Sequence, residues 1–129
     1  MQTVTVDIVS FGYLHAAPPA AHLTVDLRHH FRDPHVSLEL RYMTAHDEAV
    51  RAAVLATPGI RQLLAGIAAS VTAFAAGPSA GPITVASGCA GGRHRAPTFA
   101  QALADHLVAV GGFHVTVQHR DLGKPVVER

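Results

Sequence analysis

Polar and apolar positions alternate strictly at the start of the chain. Thr3, Thr5 and Asp7 interleave with Val4, Val6 and Ile8, and the pattern ends in Val9-Ser10-Phe11-Gly12. A period of two marks a strand, and the glycine opens a loop. HLTVDL (22–27) reads as a second, shorter strand after a loop that holds Pro18 and Pro19. From Arg28 to Met43 no period is sustained. That stretch reads as a long, partly irregular excursion, and loops of such length are usually functional or mobile.

Beyond it the period lengthens. Thr44 is placed to cap a helix, with Asp47 and Glu48 in its first turn and Val50 and Val54 on its buried face. Pro58 suits the first position of a second helix. Ile60, Leu64, Ile67, Val71 and Phe74 then recur at intervals of four and three, as one helical face requires. GPSAGP (77–82) ends it, and ITVAS (83–87) is a continuous apolar strand suited to the centre of a parallel sheet. Pro97 is tolerated only in a first turn, so the next helix begins around Arg93–Arg95. It should bury Phe99, Leu103, Leu107 and Val110 and stop at Gly111-Gly112. FHVTVQH (113–119) alternates as a last strand, and RDLGKPVVER forms a tail. Strands separated by helices imply a single α/β domain over residues 1–129. The expectation is three layers, a mainly parallel four-stranded sheet in order 2-1-3-4, and helices on both faces.

Composition narrows the function. Nearly half of the 129 residues are hydrophobic and 15% are charged, which argues for a folded chain. A formal net charge of +1 gives no broad attraction to nucleic acid or membrane. Cys89 is the only cysteine, so no internal disulfide forms and a reducing compartment is the natural setting. With no signal-like N-terminus and no apolar run of spanning length, the chain reads as cytoplasmic, without a membrane partner.

The chemistry gathers in SGCAGGRHRAP (87–97), where the apolar strand meets the helix. Gly88, Cys89, Ala90, Gly91, Gly92, Arg93, His94 and Arg95 place backbone N–H groups, two arginines and a histidine at one turn. Such a turn suits an anion: the amides and helix dipole face it, and arginine closes bidentately. The same residues fit Cys-x5-Arg, the pattern of cysteine-dependent phosphatases. There Cys89 would attack phosphorus, Arg95 would hold the oxygens, and Asp33 or Asp121 would supply the proton. Gly88 and Ala96 stand where those enzymes usually carry a histidine and a hydroxyl residue.

VSFGY (9–13), VDLRHHFRDPH (25–35), ELRYMTAHDEAV (39–50), GCAGGRHRA (88–96) and VQHRDL (117–122) follow one another in an order that resembles the C-terminal domain of RapZ-type (YvcJ-like) proteins. The resemblance implies a stand-alone domain that senses a phosphorylated amino sugar, glucosamine-6-phosphate, and acts as a regulatory adaptor, in some members on small RNA. By position it places phosphate on Ala90, Gly91 and Gly92 with Arg95 closing over it and His94 at the same helix start. Ser10, Gly12, Asp26, Arg28, His35, His119 and Arg120 would line the adjoining pocket. Ala90, Ala96 and Asp33 replace the threonine, serine and asparagine that the family usually carries. No Gly-x4-Gly-Lys-Ser/Thr occurs in the chain, so nucleotide binding is not carried over.

Two further constellations reach beyond that loop. His29, His30 and His35 with Asp33 are the densest cluster of potential metal ligands, but they lack metal-site spacing, and no metal or other cofactor is expected. Arg28, Arg32, Arg41, Arg93, Arg95 and Arg120, with Tyr13, Phe31 and Tyr42, are the residues of a rim suited to stacking on unpaired RNA bases. The sequence leaves a homo-oligomer open.

Overall fold

The computed structural model describes residues 3–79 and 81–129. Four parallel strands form one sheet: β1 (Val4–Gly12), β2 (Leu23–Asp26), β3 (Ile83–Cys89) and β4 (Phe113–His119). Three helices complete the domain: α1 (Glu48–Leu55), α2 (Ile60–Ala75) and α3 (Arg95–Val110). A short 3-10 turn, Pro34–Val36, interrupts the excursion between β2 and α1. The α/β class and the parallel sheet match the expectation from the pattern.

The strand order does not. It is β2-β3-β1-β4 rather than 2-1-3-4. β3, buried along nearly its whole length, lies between β1 and β2, while β1 carries β4 on its other side. The layering follows from that order. Both helical crossovers, β2 to β3 and β3 to β4, step across the sheet in the same direction. Right-handed connections therefore put both on the same face. α1 and α2 pack against α3, and α3 packs on β1, β3 and β4. Val6, Ile8, Ile83, Val85, Ile60, Val71, Phe99, Leu103 and Leu107 share one core. The fold has two layers, not three, with helices on one face only. The other face is polar: Thr116 donates to Asp7 (2.6 Å) from the adjacent strand.

Smaller differences have local causes. Asp47, not Thr44, occupies the N-cap of α1; its carboxylate accepts from the Thr44 amide at 2.9 Å. α2 starts at Ile60, two residues past Pro58, because Gly59 takes a left-handed conformation (φ 92°) at its cap. Phe74 lies past the buried part of its stripe and rests near the His22 ring. Val110, in the last turn of α3, is exposed. α3 does stop at Gly111, and β4 spans the residues its alternation marks out.

Candidate functional site

The 90–94 loop sits at the C-terminal ends of β1 and β3, between them and the start of α3. Two glycines allow it to lie there. A Cβ on Gly12 would fall 2.5 Å from the Gly91 carbonyl carbon, and one on Gly92 would fall 2.8 Å from the Gly12 nitrogen. Gly92 is also left-handed, at φ 75°. Backbone lies against backbone here, and no side chain fits. Gly91 differs: a Cβ there would meet open space. Among the described residues, the amide N–H groups of Gly91, Gly92, Arg93, His94 and Arg95 have no protein acceptor.

Asp121 braces this arrangement from below. Its carboxylate is fully buried and accepts the Gly12 amide at 2.7 Å. Arg120 and Lys124 lie 2.9 and 2.7 Å from it. Burial alone would raise its pKa. The hydrogen bonds from Arg120, Lys124 and the Gly12 amide outweigh that and bring it down to about 2. Asp121 and Lys124 carry structural weight that the pattern did not assign them, although the compact run HRDLGK holds both.

The expected anion clamp, Arg95, is used differently. Its guanidinium is 2% exposed and its Nη1 donates to the carbonyls of Leu27 (2.8 Å) and Arg28 (3.0 Å). Its Nη2 lies 3.2 Å from Asp33. The fork that should have closed over an anion thus fastens the loop after β2. The reason is geometric: that loop folds over the first turn of α3 and presents a row of carbonyls with no other partner. The Nε of Arg95 stays buried without an acceptor, as does that of Arg93. Arg93 donates to the carbonyls of Lys124 (2.8 Å) and Tyr42 (2.9 Å). His94 bonds the carbonyls of Met43 (2.8 Å) and Leu40 (3.1 Å) through Nε2. Burial lowers its pKa, and the Met43 carbonyl offsets that in part.

The remaining expected residues fall into separate groups. Ser10 is buried, with its Oγ 2.7 Å from Nδ1 of His119. Asp26 and Arg28 face each other in a two-pronged pair, and the Arg28 guanidinium lies 3.6 Å over the Tyr13 ring. The His35 amide donates to Asp33, which also pairs with Arg129 at 2.7 Å. Arg120 donates to the carbonyls of Ala17 (2.7 Å) and Ala16 (3.1 Å) and so holds the loop after β1. Gly88 needs to be glycine, because a Cβ there would run into the Phe11 and Tyr13 rings. No three His, Cys, Asp or Glu side chains converge as a metal site among the described residues.

The attack geometry of a cysteine phosphatase is not assembled. Cys89 is 2% exposed and belongs to the core, and its Sγ accepts the Ala96 amide at 3.3 Å. The matching arginine and the candidate acid Asp33 are paired with each other.

Residues 4–123 match the family described as the RapZ C-terminal domain. The chain belongs to that family. A nucleotide-binding protein of Acidothermus cellulolyticus is 39% identical over 91% of this chain and 40% of its own length. Another, from Frankia alni, is 40% identical over 91% of this chain and 41% of its own. A third, from Streptomyces coelicolor, is 38% identical over the same shares as the Acidothermus protein. The chain thus spans about two-fifths of the length of these relatives. Membership supports a regulatory or binding role for this RapZ C-terminal domain. Among its described residues no single helix is long and apolar enough to cross a membrane.

Proposed function

We propose that this domain is a cytoplasmic sensor of a phosphorylated small molecule, a sugar phosphate such as glucosamine-6-phosphate, and acts as a regulatory adaptor. The phosphate lies on the amides of Gly91, Gly92 and Arg93. The observation that carries this reading is Gly91 itself. Its neighbours Gly12 and Gly92 must be glycine because backbone crowds them, but Gly91 has open space above it beside a run of unpartnered N–H groups. A glycine free of such crowding, next to free amides, leaves room for a ligand to approach the backbone. The charge balance agrees, since Arg28, Arg95, Arg120, Lys124 and Arg129 pair with three carboxylates, Asp26, Asp33 and Asp121, while Arg93 rests on the Lys124 and Tyr42 carbonyls. Lys124 is 45% exposed, more than Arg28, Arg95, Arg120 or Arg129, and is the cation assigned here to the outer phosphate oxygens. Arg95 positions the wall of the site and offers its Nε.

RNA fits less well. Arg28, Arg41, Arg93, Arg95 and Arg120 spend their guanidinium groups on carbonyls and carboxylates of the domain itself. Thermal melting with hexose 6-phosphates tests the proposal. Stabilisation in the native chain, lost in Gly91→Ala but kept in Cys89→Ser, is the expected result. Melting curves unmoved by any phosphorylated sugar would overturn it.

A further inference from the structure

A groove of ≈ 370 Å³ lies on the other side of the α3 N-terminus, between α1 and the end of β4, and none of residues 88–95 lines it. Its floor is apolar, formed in part by the buried Pro97 and Leu122. One face of α3 supplies Thr98, Gln101 and Asp105, at the three- and four-residue spacing that aligns side chains along a helix. Thr98 is 3% exposed, and its Oγ1 is buried with no hydrogen-bond partner. Buried hydroxyls in folded proteins are nearly always bonded, so this one has capacity for a group from outside the chain. His119 reaches the groove with its Nδ1 already committed to Ser10, which leaves Nε2 for a ligand. The charges balance. Arg51, one Nη of which serves the Ala45 and His46 carbonyls, and Asp105, which accepts from Gln101, both line it.

We infer that this groove binds an uncharged polyhydroxylated molecule, a single sugar ring or polyol. Hydroxyl groups both donate and accept, as Thr98, Gln101, His119 and Asp105 together demand, and the ring's C–H face lies on Pro97 and Leu122. An anion would meet Asp105, and a cation would meet Arg51. The volume is near the lower end of the range for small-molecule sites, about 300–1,000 Å³, and admits one ring rather than a chain.

Titrating the full chain with glucose, N-acetylglucosamine and myo-inositol, read by amide NMR, tests the inference. Inorganic phosphate is run as a separate titrant, so that the groove and the Gly91 amides are judged apart. Saturable movement of the Thr98, Gln101 and His119 resonances with at least one of the three probes is expected. Thr98→Val should weaken that binding about fivefold, the worth of one neutral hydrogen bond. It should also leave the ligand-free protein as stable as before, since the hydroxyl has no partner to lose. Resonances unmoved by all three probes would overturn the inference. So would equal binding by the valine variant, or a valine variant that is itself destabilised.

Discussion

Replacing Asp121 by asparagine probes the strut beneath the Gly12–Gly92 contact. The carboxylate, held at about 2 against an ordinary 3.8, is more acidic in the folded chain than in the unfolded one. That difference is worth about 2 kcal/mol at neutral pH. A second route gives a similar figure: removing one member of a buried ion pair costs about 3–5 kcal/mol, less where the cations are partly exposed, as Arg120 and Lys124 are. Asparagine still offers an oxygen to the Gly12 amide, so the loss is mainly electrostatic. Asp121→Asn should therefore melt about 8 °C lower than the parent at pH 7. The sign of the pH effect follows. Because the folded pKa is depressed, the stabilisation is complete above the unfolded value near 4 and fades as pH falls toward 2. Urea unfolding of both proteins from pH 5 to pH 3 should show the stability gap shrinking by about half. Asp33 also titrates low, but it is common to both proteins and cancels in the difference. A gap that stays constant over that window, or an asparagine variant as stable as the parent at pH 7, would refute the strut.

Other residues give independent checks. Arg95→Ala should lose about 3–5 kcal/mol in chemical denaturation, since it removes one of the two cations on Asp33 and leaves the buried carbonyls after β2 without a donor; a neutral outcome would show that the staple carries no weight. The Cys89 thiol should react with an aromatic disulfide reagent only as fast as the domain opens, and stoichiometric labelling within mixing time would contradict its burial. His94 has a pKa lowered by burial, so its contribution is present above the unfolded value of about 6.5 and is lost as pH drops below it. A His94→Gln variant should flatten that part of the stability profile, and an unchanged slope would argue against a neutral, buried imidazole.

Much of this fold is legible in the residues themselves. The alternation of β4, the apolar run of β3, the Gly111 stop and the start of α3 near Arg95 all follow from local rules that the structure keeps. The layering was also written in the pattern. Thr5 and Asp7 in β1, with His114, Thr116 and Gln118 in β4, put polar side chains on one face of two strands, as a sheet covered on one side requires. Strand order is different, because no local signal says which of two strands β1 will join. Arg93 and Arg95 stand two residues apart in the sequence, but their partners are not foreseeable from it. Whether Arg95 meets a ligand or the Leu27 carbonyl depends on how the aperiodic 28–43 segment folds over it. Gly91 shows the same limit: only the surrounding atoms separate a glycine forced by backbone contact from one that is free of it.

Amide NMR of the isotopically labelled chain during titration with inorganic phosphate addresses the anion site most directly. The Gly91, Gly92 and Arg93 resonances should move saturably, and Gly91→Ala, with its stability kept within about 0.5 kcal/mol, should abolish the movement. Resonances that stay fixed, or that move equally in the alanine variant, would contradict a phosphate seated on those amides.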